Sequence, residues 1–213
     1  VTVANDGTPP PPPPSPSGEK IAVFFWASDA GAQWVIDKYI SILQAEGYTK
    51  FFDFCDTLDF EADFSTVDAY EDENDTIFFY LFGHGNYDGV DSYTLFRPDG
   101  SLVYSSQFRV MMDQLETTRK GFLIESCHSG GWPEDFQSPP YLAMSSSSTD
   151  LLAYAVGTLP NEGRFSYYFW QHVSDGYDAI DSFWYARSYV DGYPYTNQDP
   201  QIADYSTYVF FAD

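Results

Sequence analysis

Near-continuous apolar runs alternate with segments of helical period along most of this chain. Ile21–Ser28 (IAVFFWAS) is apolar almost throughout, the pattern of a strand buried on both faces. From Gln33 to Ala45 apolar residues return at helical spacing through Trp34, Val35, Tyr39, Ile42 and Leu43, and Gly47 ends that helix. Lys50–Asp56 (KFFDFCD) predicts a second strand, with Cys55 on it or at its end as a small packed hydrophobe. Thr76–Gly85 (TIFFYLFGHG) is a third, running into a glycine-flanked histidine. Residues 86–104 carry Gly and Pro punctuation and predict a hairpin or loop. Ser105 or Ser106 can cap a helix bearing Phe108, Met111, Met112 and Leu115. Gly121–Cys127 (GFLIESC) and the run PPYLAMSSSS predict a fourth and a fifth strand. Helices are predicted after Gly163 (RFSYYFWQHV) and over Asp178–Val190. No internal repeat is present. Strand–helix alternation of this kind argues an α/β fold, a mostly parallel sheet with helices on both faces.

Before this pattern begins, residues 1–18 read VTVANDGTPPPPPPSPSG, and Pro9 to Pro14 favour a polyproline II rod. We read them as a Pro-rich extension or linker and 19–213 as one domain. Val1–Val3 are candidates for pairing with a neighbouring subunit, a route to a homo-oligomer through the N-terminal segment. Composition narrows the partners. The chain of 213 residues carries nine Lys+Arg against 32 Asp+Glu, a net charge of −23. So few cations cannot build a basic groove, which excludes nucleic acid as the expected ligand. No run of 18 apolar residues predicts a membrane span. A start at Val1 rather than Met fits a mature secreted product, so an extracellular or cell-surface location is expected. Ten acidic residues among the 23 from Asp53 to Asp75 predict a solvated acidic loop, with Ca²⁺ as a candidate ion there. Asn74-Asp75-Thr76 is a glycosylation sequon. The two cysteines, Cys55 and Cys127, are both expected to be free thiols.

Candidate chemistry lies at the ends of two strands. One ends at Gly83-His84-Gly85, the other at Glu125-Ser126-Cys127-His128-Ser129-Gly130-Gly131. Ligands of open α/β sheets sit beyond the carboxyl ends of the strands. If the two strands are neighbours, His84 and Cys127 face one another there. A thiol beside an imidazole is a nucleophile with a proton carrier at hand. The N–H groups of Gly85 and Cys127 are candidate donors to a developing oxyanion. Gly130 and Gly131 allow a sharp turn after the nucleophile.

FFYLFGHGN (Phe78–Asn86), FLIESCHSGG (Phe122–Gly131), AMSSSSTDLLAY (Ala143–Tyr154) and GRFSYYF (Gly163–Phe169) together resemble the caspase–legumain–clostripain–metacaspase superfamily of cysteine peptidases. The resemblance covers about Lys20 to Val190. It implies a caspase-like three-layer sandwich, a catalytic dyad of His84 and Cys127 without a third catalytic residue, and a peptide or protein substrate. It also implies that the residue two before the cysteine, Glu125, lines the primary specificity pocket. His128 departs from the residue more usual after the cysteine and reads as a loop histidine; His172 reads as structural.

Specificity follows from charge. The loop after the first strand offers Ser28, Asp29 and Gly31, where caspases and legumain place an Arg, and no Arg or Lys lies between Lys20 and Lys38. Glu125 with Asp29, and Asp150 as a further candidate, predicts cleavage after Arg or Lys. Arg164 would oppose this if it reached the pocket; it is expected to start a helix and face elsewhere. No cofactor is required for this chemistry, and three scattered His with two Cys do not give zinc spacing. By analogy with metacaspases, Ca²⁺ is a candidate activator. Two other readings use the same residues: a non-enzymatic scaffold, a surface-layer or filament subunit assembled through the N-terminal segment, and transpeptidation or ligation through the same acyl-enzyme.

Overall fold

Strands with side chains buried on both faces form the middle layer of the protein. The computed structural model describes residues 18–96, 102–156, 162–192 and 196–211. The expected roles of residues 1–17 lie outside them. Six strands make the main sheet: β1 (Lys20–Trp26), β2 (Lys50–Cys55), β3 (Thr76–Phe82), β7 (Arg119–Glu125), β8 (Tyr141–Ser145) and β9 (Gln201–Asp204), in the order β2-β1-β3-β7-β8-β9. All pairings are parallel except that of β8 with β9. The strands β4 (His84–Tyr87), β5 (Ser92–Leu95) and β6 (Val103–Tyr104) form a small antiparallel sheet, the expected hairpin.

Helices cover both faces. On one, α1 (Gln33–Ala45), α5 (Arg164–Ser174) and α6 (Ala179–Val190) pack Val35, Tyr39, Phe169, Trp170 and Phe183 over Phe24, Phe78, Tyr80 and Met144. On the other, α2 (Phe60–Asp68), α3 (Ser105–Met112) and α4 (Gly131–Asp135) set Phe64, Phe108 and Trp132 against Phe25, Phe79 and Phe122. This is the three-layer α/β sandwich expected. Aromatic rings dominate both cores, as in the stack of Phe64 on Phe79 with centroids 5.6 Å apart.

Two local expectations are corrected. The acidic stretch from Asp53 to Asp75 is not simply a loop: it contains α2. Phe60, Phe64 and Val67 fall on one helical face and are buried, Asp59 accepts the Ala62 N–H as N-cap, and Glu61 and Asp63 sit in the first turn, where the helix dipole favours anions. Charge density masks the apolar period. Cys55, expected to be packed, is exposed at the end of edge strand β2, because its side chain alternates to the outer side there.

The helix is testable. Phe64→Ala empties a buried ring position on α2 and is expected to lower stability by about 3–5 kcal/mol, read by denaturant unfolding.

Candidate active site

The register of the sheet brings two chain ends together. β3 and β7 pair in parallel up to Phe82 opposite Glu125, and the Gly83 N–H then donates to the Glu125 carbonyl at 3.3 Å. His84 and Cys127 thus leave the sheet side by side. Both line one cavity of about 150 Å³, together with Asp29, Glu125, Glu162 and the wall Ala153–Ala155. A cavity twice that size lies on the opposite helical layer between α2 and α3, away from these groups.

Close backbone approach dictates Gly85. A Cβ there would lie 1.9 Å from Ser126 Oγ and 2.4 Å from the Cys127 carbonyl, so no side chain fits between β4 and the turn at Cys127. The same turn is held by serines. Ser126 N–H donates to Ser146 Oγ at 3.2 Å, Ser147 Oγ donates to the Ser126 carbonyl at 2.9 Å, and Ser129 N–H donates to Ser147 Oγ at 3.2 Å. Thr94 Oγ1 donates to Ser126 Oγ. The serine-rich end of β8 therefore supplies the partners that a buried, irregular turn cannot find in a strand ladder.

Cys127 is half-buried, and its thiol donates to the Ala153 carbonyl at 3.7 Å. Burial pushes the thiol up from its ordinary value; the Ala153 contact works against this and the Glu125 charge adds to it. At neutral pH the resting thiol keeps its proton. Exposed Cys55 is pushed up further, to about 11, by partial burial and then by Asp56 and Asp53. The His84 ring is exposed, and its Nε2 lies 3.3 Å from Asp29 Oδ2. Asp29, expected in the specificity pocket, lines the cavity and at the same time orients the imidazole.

Glu125 is the most constrained group here. It is 1% exposed, and its Oε2 accepts from the N–H and hydroxyl of Ser166 at 2.8 and 2.6 Å. Its Oε1 is buried without a hydrogen-bond partner among the described residues. Gly163 makes this possible, since a Cβ there would sit 2.2 Å from the Glu125 carboxyl carbon. Burial raises the Glu125 carboxyl to about 7, against the pull of the Ser166 bonds and of the Ser146 side chain. Glu162, unmarked by any signal in the sequence, is a second buried carboxylate on the cavity. Lys38 Nζ at 2.7 Å and the Tyr39 hydroxyl at 3.1 Å both donate to it.

Not every expected residue arrives. Asp150 is exposed and is not among the cavity-lining residues, because residues 149–151 run along the outside of the nucleophile turn while the chain enters the cavity only at Ala153. Arg164 opens α5, and its guanidinium donates to Thr196 Oγ1. His172 lies between the rings of Tyr177 and Tyr185, at 3.9 and 4.2 Å, on the outer helical layer. His128 turns away from the cavity, its Nδ1 on the Thr149 carbonyl. Among the described residues no group of three or more His, Cys, Asp or Glu is placed to hold a metal ion, and no helix is long and apolar enough to cross a membrane.

Comparison with known proteins gives a family. The family model described as the peptidase C13 family matches residues 61–176, just over half the chain, spanning both His84 and Cys127. No curated protein matches the chain.

The buried carboxyl makes a stability prediction. Glu125 titrates near 7 in the folded chain and near 4.5 when unfolded, so folding favours its protonated form. Stability is then full below about pH 4.5 and declines by roughly 3 kcal/mol as the pH rises through 7. Glu125→Gln is expected to flatten this decline in denaturant unfolding followed from pH 5 to pH 8.

Proposed function

The chain belongs to the peptidase C13 family, the legumain-like branch of the caspase-like cysteine peptidases, and from that premise we propose that it is an endopeptidase working through a Cys127–His84 dyad and cleaving after Arg or Lys. The observation that carries the proposal is the shared cavity: a thiol, an imidazole and a buried carboxyl all line 150 Å³ at the end of two paired strands.

The Cys127 sulfur attacks the scissile carbonyl carbon. Its proton, held at rest toward the Ala153 carbonyl, passes to His84, whose ring is oriented by Asp29. The carbonyl oxygen becomes an oxyanion facing the N–H groups of Gly85 and Cys127. His84 then protonates the leaving amine as the carbon–nitrogen bond breaks, leaving a thioester on Cys127. Water, deprotonated by His84, hydrolyses the thioester and releases the acid. Because the thiol is not ionised at rest, proton transfer belongs to the attack itself.

The substrate's basic side chain enters beside Glu125. Of the three carboxylates on the cavity, Glu162 is already neutralised by Lys38, while Glu125 has no cationic partner among the contacts of its carboxyl and Asp29 is partly exposed. A guanidinium or ammonium beside the Glu125 carboxyl lowers the cost of its ionisation. Peptide and protein substrates with exposed basic residues also suit the charge of −23.

Fluorogenic peptides ending in Arg, Lys, Asn and Asp decide the specificity. Arg or Lys is expected to exceed the others by at least tenfold in kcat/KM, and a preference for Asn or Asp removes the acidic-pocket reading. With the preferred peptide, KM is expected to fall as the pH rises through about 7, because Glu125 ionises there in the free enzyme. In Glu125→Gln that pH dependence disappears. Cys127→Ala and His84→Ala are each expected to lower kcat by 10³-fold or more. Iodoacetamide is expected to label Cys127 faster than Cys55 in the parent, and the difference to shrink in His84→Ala.

A further inference from the structure

The residue after the nucleophile holds three consecutive features together. His128 has φ +56°, a conformation that L-residues rarely adopt. Its backbone N–H donates to the Leu151 carbonyl at 2.8 Å. Its ring Nδ1 lies 2.8 Å from the Thr149 carbonyl, and since a carbonyl only accepts, Nδ1 carries the proton. One residue back, the Cys127 thiol donates to the Ala153 carbonyl. The alternate carbonyls 149, 151 and 153 thus face residues 127 and 128 in a row.

This row is the start of the cavity wall. Ala153, Tyr154 and Ala155 line the cavity directly. The far end of the wall is tied to the start of α5 through Arg164 N–H to the Tyr154 carbonyl and Val156 N–H to the Glu162 carbonyl. Asp150 and Leu152 are exposed, so the near end has no core packing to hold it at those positions. From the other side, Ser92 Oγ donates to the His128 carbonyl at 2.6 Å and accepts from the Gly131 N–H at 3.1 Å, fixing the turn that carries the imidazole.

We propose that His128 is a positioning residue whose imidazole latches the 149–153 segment onto the nucleophile turn, setting the width of the specificity cavity. It acts through the wall and does not touch the substrate. The proposal rests on the cysteine-peptidase reading of the cavity.

His128→Gly keeps the left-handed backbone and removes the latch; His128→Asn keeps the backbone and restores an N–H toward Thr149. In the full chain, His128→Gly is expected to raise KM for the preferred basic peptide roughly tenfold, the weight of one hydrogen bond, with kcat changed less than threefold. Alkylation of Cys127 by iodoacetamide stays within twofold of the parent. His128→Asn stays within threefold of the parent in KM. Hydrogen exchange at the amides of residues 150–156 accelerates in His128→Gly and not in His128→Asn. An unchanged KM in His128→Gly, an equally impaired His128→Asn, or a loss confined to kcat overturns the latch. Should the parent cleave no peptide, the peptidase reading fails, while the exchange comparison still decides whether His128 holds the wall.

Discussion

The parallel register of β3 against β7 is the constraint on which the site depends. With Phe82 opposite Glu125, both chains leave the sheet at the same level, and the second residue beyond each is His84 on one side and Cys127 on the other. A slip of one residue would turn every side chain of one strand to the other layer, where it meets packing shaped for a different residue, and would set His84 and Cys127 out of step. Apolar side chains on both faces of these strands hold the register from two directions at once. The geometry of the candidate site is in this sense a product of core packing.

Leaving the sheet together has a structural cost, and neighbouring residues meet it. A turn that buries Ser126 and Ser129 must find partners for its backbone, and the serines at the end of β8 supply them. Glycine at 85 admits the backbone of β4 against that turn, and glycine at 163 admits the start of α5 against Glu125. The Gly163-Arg164-Phe165-Ser166 segment therefore serves one group twice, by the absence of a side chain and by the two bonds of Ser166.

Much of this was legible in the sequence, and the limits were physical. Strands buried on both faces write themselves as apolar runs, so β1, β3, β7 and β8 were visible and the parallel sheet followed. The glycine-flanked His84 and the turn around Cys127 were visible because sharp exits from a sheet need special residues. α2 was hidden because its outward positions carry acids dense enough to read as a loop, although Asp59 and the Phe60-Phe64-Val67 spacing marked it. β9 and α4 are too short to show a period. Asp29 was placed in the pocket but not beside His84, and Asp150 was expected there but is exposed and not among the residues lining the cavity, because contacts between loops leave no local pattern. Glu162 gave no sign at all, since a buried carboxylate and a solvated one look alike in a polar segment.

The scarcity of cations, met first as a source of negative field, has another meaning for an enzyme of the proposed specificity. Every Lys or Arg in the chain is a bond that the enzyme could cut in its own copies. There are nine, and eight of them lie inside helices or strands: Lys20, Lys38, Lys50, Arg109, Arg119, Lys120, Arg164 and Arg187. The ninth, Arg97, lies outside the described residues. A peptidase cleft takes an extended segment, and a residue fixed in a ladder or a helix must unfold locally before it can enter. Resistance to self-digestion is thus written into the composition and the placement of these residues, and at those eight positions it lasts only as long as the fold does.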